Sequence, residues 1–169
     1  MDNLLTTARS SVPLCQEGEC MGKYDGPHFQ CEDRDVVSIW VAHTDFDGIP
    51  EDYLEYKRDD RDDTPWSTFT NNFGFGFYDD DFVESYLQPG KEKATVYEQL
   101  KYLSYSSSFI EQAVAEAQKR KLEETSFVFL MYNFAYDPKV TKIQRDDYLE
   151  FLGVFTFDQQ SDSAVQWQG

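Results

Sequence analysis

Ser126-Phe127-Val128-Phe129-Leu130-Met131-Tyr132 is a run of apolar and aromatic residues that carries no charge. Its length and composition predict a central strand covered on both faces. Just before it, Ser108 to about Leu122 has helical spacing, with Ile110, Val114 and Ala117 on one stripe, beside Ala113. Ser108 and Glu111 are spaced as a capping box, and Lys119, Arg120 and Lys121 fall in the last turn, where the helix dipole favours cations. Just after it, Phe151 to Phe157 reads as a further strand. Val36-Val37-Ser38-Ile39-Trp40-Val41-Ala42 reads as a buried strand ending at the turn-rich His43-Thr44-Asp45-Phe46-Asp47-Gly48.

The segments between these are shorter. Pro50 near a first turn rich in acids predicts a short helix to Tyr56, and Lys57 to Asp63 reads as a solvated charged loop. Thr64 as cap and Pro65 in the first position predict a second short helix to Asn72. Phe73-Gly74-Phe75-Gly76-Phe77-Tyr78 alternates as a strand would, its glycines allowing close approach of another backbone or side chain. Asp79-Asp80-Asp81 stands where the N-terminus of a helix over Phe82 to Leu87 would be, and Thr95 to Leu103 reads as another helix, with Val96, Leu100 and Leu103 on one stripe.

Interleaved strands and helices give an α+β (mixed α/β) class, a central sheet with helices packed on it. The 169 residues suit one such domain over residues 35–158. Residues 1–34, which hold all three Cys, read as an irregular extension, and 159–169 as a frayed polar tail.

Lys and Arg number 15 against 32 Asp and Glu, a formal net charge of −17. Nucleic acid and anionic membrane surfaces are therefore not expected partners, because neither phosphate neutralisation nor a polybasic patch is available. Aromatic residues make up 17% of the chain, too many for a disordered acidic protein. The opening Met1 to Thr7 lacks the basic and apolar runs of a signal peptide, and the odd Cys count does not suggest a disulfide framework. Both point to the cytoplasm.

Cys15, Cys20, His28 and Cys31 could supply the thiolates and imidazole of a zinc site, although no paired C-x2-C knuckle is present. Reduced thiols in a loose extension are the plainer reading, and no cofactor is expected. His43-x-Asp45-x-Asp47-Gly48 resembles a fragment of a calcium loop but has Leu54 where a bidentate Glu is required. With two His and no nucleophile elbow, no catalytic set emerges. What remains is a surface: Asp59, Asp60, Asp62, Asp63, Asp79, Asp80, Asp81 and Glu84, interleaved with Trp66 and Tyr78 as candidate aromatic anchors. Aromatic anchors in a charged rim are the composition of a protein interface, and a negative field steers a basic partner.

Several segments together resemble the immunity protein 22 family of bacterial polymorphic toxin systems. They are Val37-Ser38-Ile39-Trp40-Val41; Glu51-Asp52-Tyr53-Leu54-Glu55-Tyr56; Ser67-x-Phe69 with Phe73-Gly74; Tyr78-Asp79-x-Asp81-Phe82-x-Glu84; Ser104-Tyr105-Ser106-x-Ser108-Phe109; and Leu130-x-Tyr132-Asn133-Phe134-x-Tyr136. The resemblance implies a non-enzymatic protein that binds and neutralises one cognate toxin. The charge adds the expectation of a basic, nuclease-type toxin docked on the acidic loops. Two alternatives stand beside it: a metal- or protein-binding module built on Cys15, Cys20, His28 and Cys31, and, last, a metal-dependent hydrolase using His43, Asp45 and Asp47.

Overall fold

The computed structural model describes residues 26–31, 33–59, 62–76 and 78–166. Strands β1 (Val36–Ala42), β4 (Val83–Leu87), β7 (Phe127–Tyr132) and β8 (Leu149–Thr156) form an antiparallel sheet in the order β4-β7-β1-β8, and the class is α+β. β1 and β7 are central and buried along their whole lengths, which is why both read as unbroken apolar runs. Among the described residues no helix is long and apolar enough to cross a membrane.

The two faces of the sheet are covered differently. Val37, Ile39 and Val41 of β1, with Val128 and Leu130 of β7, meet helices α2 (Val96–Leu100) and α3 (Ile110–Arg120) in a mainly aliphatic core. Trp40, Phe127, Phe129 and Met131 point the other way. There Trp40 sits among Phe69, Phe73, Phe129, Phe134, Tyr136 and Phe151 with ring centroids 5.2–6.5 Å away. Edge-to-face and tilted contacts of this kind add to the area buried. Ser38, the polar residue of β1, donates to Phe134 O at 2.6 Å and accepts from Tyr136 N at 3.1 Å, tying this layer to the sheet.

β8 keeps its sides straight through a bulge. Ile39 pairs with Gly153 and Trp40 with Phe151, so Leu152 is the extra residue and the in-out alternation shifts by one. The carbonyls freed there are claimed by Arg120, whose Nη1 donates to Phe151 O at 2.5 Å and Leu152 O at 2.8 Å while Nη2 pairs with Glu150. The basic last turn of α3 thus staples the helix to the bulge.

Several local expectations are corrected. Residues 50–56 form turns, with Tyr53 N donating to Pro50 O, instead of a helix. The charged loop is a hairpin of β2 (Lys57–Asp59) and β3 (Asp62–Trp66), and Pro65 lies in β3. Ser67, not Thr64, caps α1 (Thr68–Phe73): its Oγ accepts from Thr70 N at 3.1 Å while Thr70 Oγ1 accepts from Ser67 N at 2.9 Å. Gly74 ends that helix at φ 66°, so residues 73–76 of the Phe-Gly repeat are a helix end and its exit instead of a strand, and Phe77 lies outside the described residues. The close approach expected at its glycines is present at Gly76, where a Cβ would stand 3.1 Å from the His28 ring and 3.2 Å from Gly26 O.

The helix expected over Phe82–Leu87 is a 3-10 turn at Asp80–Phe82 followed by β4. β7 needs a second partner, and pairing with its backbone overrides local propensity. Ser108 does not cap α3; its hydroxyl donates to Tyr105 O at 2.6 Å, and Phe109 occupies the cap position without a side-chain bond. The tail is docked instead of frayed through residue 166: Ala164 N donates to Ser106 Oγ at 2.8 Å and Val165 N to Lys101 O at 2.9 Å. The remaining elements are β5 (Ala94–Thr95), which pairs with β6 (Glu124–Thr125), and α4 (Pro138–Thr141).

Candidate interaction site

Asp79 caps the 3-10 turn by accepting from Asp81 N at 3.0 Å, which places three consecutive carboxylates within 4.8 Å of one another at the surface. The next residue, Phe82, is 42% exposed. β4 then pairs Glu84 with Leu130, which turns the Glu84 side chain onto the helix-covered face. There Glu84 Oε1 accepts from Ser104 Oγ at 2.5 Å, and Oε2 accepts from Ser104 N at 2.9 Å and Tyr132 OH at 3.0 Å. The Tyr132 hydroxyl proton is shared with Ser104 O at 2.8 Å. Burial, with Glu84 beside it, pushes that hydroxyl well above the ordinary tyrosine range.

These groups line a half-open groove of about 340 Å³ between the start of β4, the turn after α2 and the end of β7. Its wall is aromatic: Tyr105 stacks on Phe157 at 5.2 Å and meets Tyr132 edge-on at 5.7 Å. Two lining residues, Tyr105 at φ 57° and Asn133 at φ 52°, hold left-handed backbone that costs a non-glycine residue about 1 kcal/mol. Strain of this kind gathers where the surrounding structure fixes a site.

Four of the expected surface acids meet here, Asp79, Asp80 and Asp81 on the rim and Glu84 in the floor. Tyr78 does not serve as an anchor. It is 3% exposed, its ring 5.0 Å from Tyr56 and 6.2 Å from Phe75, because the aromatic layer needs it as core. Trp66, half-buried in β3, has the Lys57 ammonium 5.5 Å from its ring centre. The backbones of Asp59, Asp62 and Asp63 belong to the hairpin, and Asp60 lies outside the described residues. Phe82 was missed because a helix over 82–87 would have turned it inward.

Cys15 and Cys20 also lie outside the described residues. His28 rests against Gly76, Cys31 N donates to Asn133 O at 2.7 Å, and burial pushes the Cys31 thiol up, which favours its protonated form. His43, Asp45 and Asp47 do not converge: the His43 ring meets Asp146 O at 2.8 Å, while Lys93 pairs with Asp45 and Lys91 with Asp47. Among the described residues only Asp79, Asp80 and Asp81 bring three metal-capable groups together.

The groove collects three of the segments that carried the family resemblance, those around Asp81-Phe82-Glu84, Ser104-Tyr105 and Tyr132-Asn133. No curated protein and no solved structure matches the chain. The family model described as Immunity protein 22 matches residues 37–158, from β1 to just past β8, and the chain belongs to that family.

Proposed function

We propose that the protein neutralises one cognate toxin in the cytoplasm by laying the acidic rim and groove over a basic surface of that toxin, without catalysis. One observation carries this reading: the surface acids, an exposed aromatic and the groove lie together. Asp79, Asp80 and Asp81 supply the rim, Phe82 supplies an apolar contact, and Glu84 and Tyr132 form the floor. Phe82 replaces Tyr78 as the aromatic contact.

The net charge of −17 favours rapid, salt-sensitive capture of a basic partner, as a nuclease-type toxin that grips phosphate would be. The same charge works against nucleic acid or membrane as the direct partner. Residues 26–31 are held by the domain, with Ala135 N donating to Phe29 O at 2.9 Å, so a truncation that removes only residues 1–25 separates the groove from the Cys15 and Cys20 segment.

The test is co-expression with the cognate toxin, read as cell survival. Expected are protection by the full chain, protection by the truncated chain, and binding that weakens as salt rises. Protection that disappears with residues 1–25 would transfer the function to the Cys and His segment, and salt-independent binding would remove the electrostatic reading.

A further inference from the structure

We propose that the groove is a receptor for a single arginine side chain presented by the toxin, its guanidinium held by Glu84 and Asp81 against the aromatic wall. This deepens the toxin-binding reading and rests on it. The argument starts from which hydrogen-bonding groups are already used. Ser104 N, Ser104 Oγ and Tyr132 OH, the donors nearest the floor, all face Glu84. Glu84 Oε2 receives two of them and Oε1 one, so Oε1 keeps a lone pair, since each carboxylate oxygen has two.

The exposed Asp81 carboxylate accepts no hydrogen bond among the described residues, and Asn133 Oδ1 in the groove wall is buried with no partner. Gln159, at the groove margin, spends its amide on Asp35 at 2.6 Å. The groove therefore offers a ligand two carboxylates, Asp81 and Glu84, beside the Tyr105 hydroxyl and the Asn133 amide. A cation with several donors is what such a lining takes, and a carboxylate or phosphate is what it repels.

The wall selects among cations. Tyr105, Tyr132 and Phe157 pack into a continuous aromatic surface beside Glu84, and Phe82 adds an exposed ring at the mouth. A guanidinium is planar, carries five N–H donors in a fixed fork and is weakly hydrated, so it can stack and bind carboxylate at once. A lysine ammonium is a compact, strongly hydrated point charge and uses the wall poorly.

The experiment titrates the full chain with N-acetyl-arginine methylamide and, separately, with its lysine counterpart, following backbone amide shifts. Saturable shifts at Ser104, Tyr105 and Asn133 are expected with the arginine probe, half-complete on the order of 10 mM as suits one isolated side chain. The lysine probe should bind about fivefold more weakly, and Asp81→Asn should weaken the arginine probe by about the same factor. Asp81 is exposed, so its substitution leaves the fold intact; Glu84→Gln serves as the stronger, deeper variant.

Shifts that do not saturate, equal response to the two probes, or a response untouched by Asp81→Asn would each overturn the proposal. The probe contains no toxin, so the two readings fail separately. A chain that protects cells but ignores arginine keeps its immunity role and loses the arginine receptor. A chain that binds arginine but fails to protect loses the toxin-binding reading.

Discussion

The two faces of the sheet solve the same burial problem with different materials. One is mainly aliphatic and covered by α2 and α3; the other is mainly aromatic and covered by turns, the short α1 and the 134–144 segment. Regular helices bury a stripe of Val, Leu and Ala with their own backbone satisfied. Irregular coverage leaves backbone groups that need side-chain partners, and the aromatic face supplies them. The Tyr136 hydroxyl lies 2.9 Å from Phe73 O and 2.8 Å from Ile143 O, while Asp146 Oδ2 accepts from Tyr53 OH at 2.5 Å and Asn72 Nδ2 at 2.7 Å. The same residue type thus fills volume and replaces missing backbone partners.

The largest test acts on both faces at once. Tyr53 on the aromatic face and Tyr132 on the helix face are each pushed far above the ordinary value of 10.0, chiefly by burial and then by Asp146 and Glu84 respectively. A raised folded value means the native state keeps a proton that the unfolded chain releases, so stability is fully present below pH 10 and is lost above it. By pH 12 the two together should cost about 5 kcal/mol. Denaturant titrations from pH 9 to 12 should show that decline, with these hydroxyls ionising only as the chain unfolds; ionisation with the fold intact would mean they are accessible.

Trp40→Ala should cost about 3–5 kcal/mol by opening a cavity in the aromatic layer. Trp40→Phe should cost much less, because the buried indole N–H has no partner to lose. Chemical denaturation of the two variants checks the order; equal losses would show that packing around the ring carries little of the stability. Arg120→Ala should cost about 2–3 kcal/mol by leaving the Glu150 carboxylate and the Leu152 carbonyl without their donor, while Phe151 O keeps Gln144 Nε2, and Arg120→Lys should recover only part of it. A loss below half a kcal/mol would show the staple to be ornamental. The smallest effect belongs to the cap on the turn-covered side: Ser67→Ala should cost about 1 kcal/mol, with Ser67→Asp retaining most of the stability.

This contrast also explains what could be read beforehand. β1 and β7 announce themselves because double coverage leaves no polar alternation, β8 because Phe151, Leu152, Val154 and Phe155 crowd one short run, and α3 because an aliphatic stripe repeats at helical spacing. β4 and the 57–66 hairpin do not, since an edge strand and a charged hairpin are held by backbone pairing that their side chains do not encode. The Phe-Gly repeat misleads because two aromatics of the helix-end turn, Phe73 and Phe75, enter the same core. At the site, Asp79 to Asp81 are legible as surface acids from charge alone. Phe82 and the groove are not, because Glu84, Ser104 and Tyr132 lie 20 to 48 residues apart and meet only through the β4-β7 pairing.

The direct measurement is the affinity for the cognate toxin of a variant with Asp79, Asp80 and Asp81 all changed to Asn, against one with Asp59, Asp60, Asp62 and Asp63 changed likewise. Loss of the rim beside the groove should weaken binding by about 100-fold or more, mostly through interactions made close to the groove. Neutralising the hairpin should reduce the association rate by a few-fold and leave dissociation nearly unchanged. The reverse pattern, with the rim variant bound as tightly as the original chain and the hairpin variant lost, would contradict the placement of the toxin on this groove.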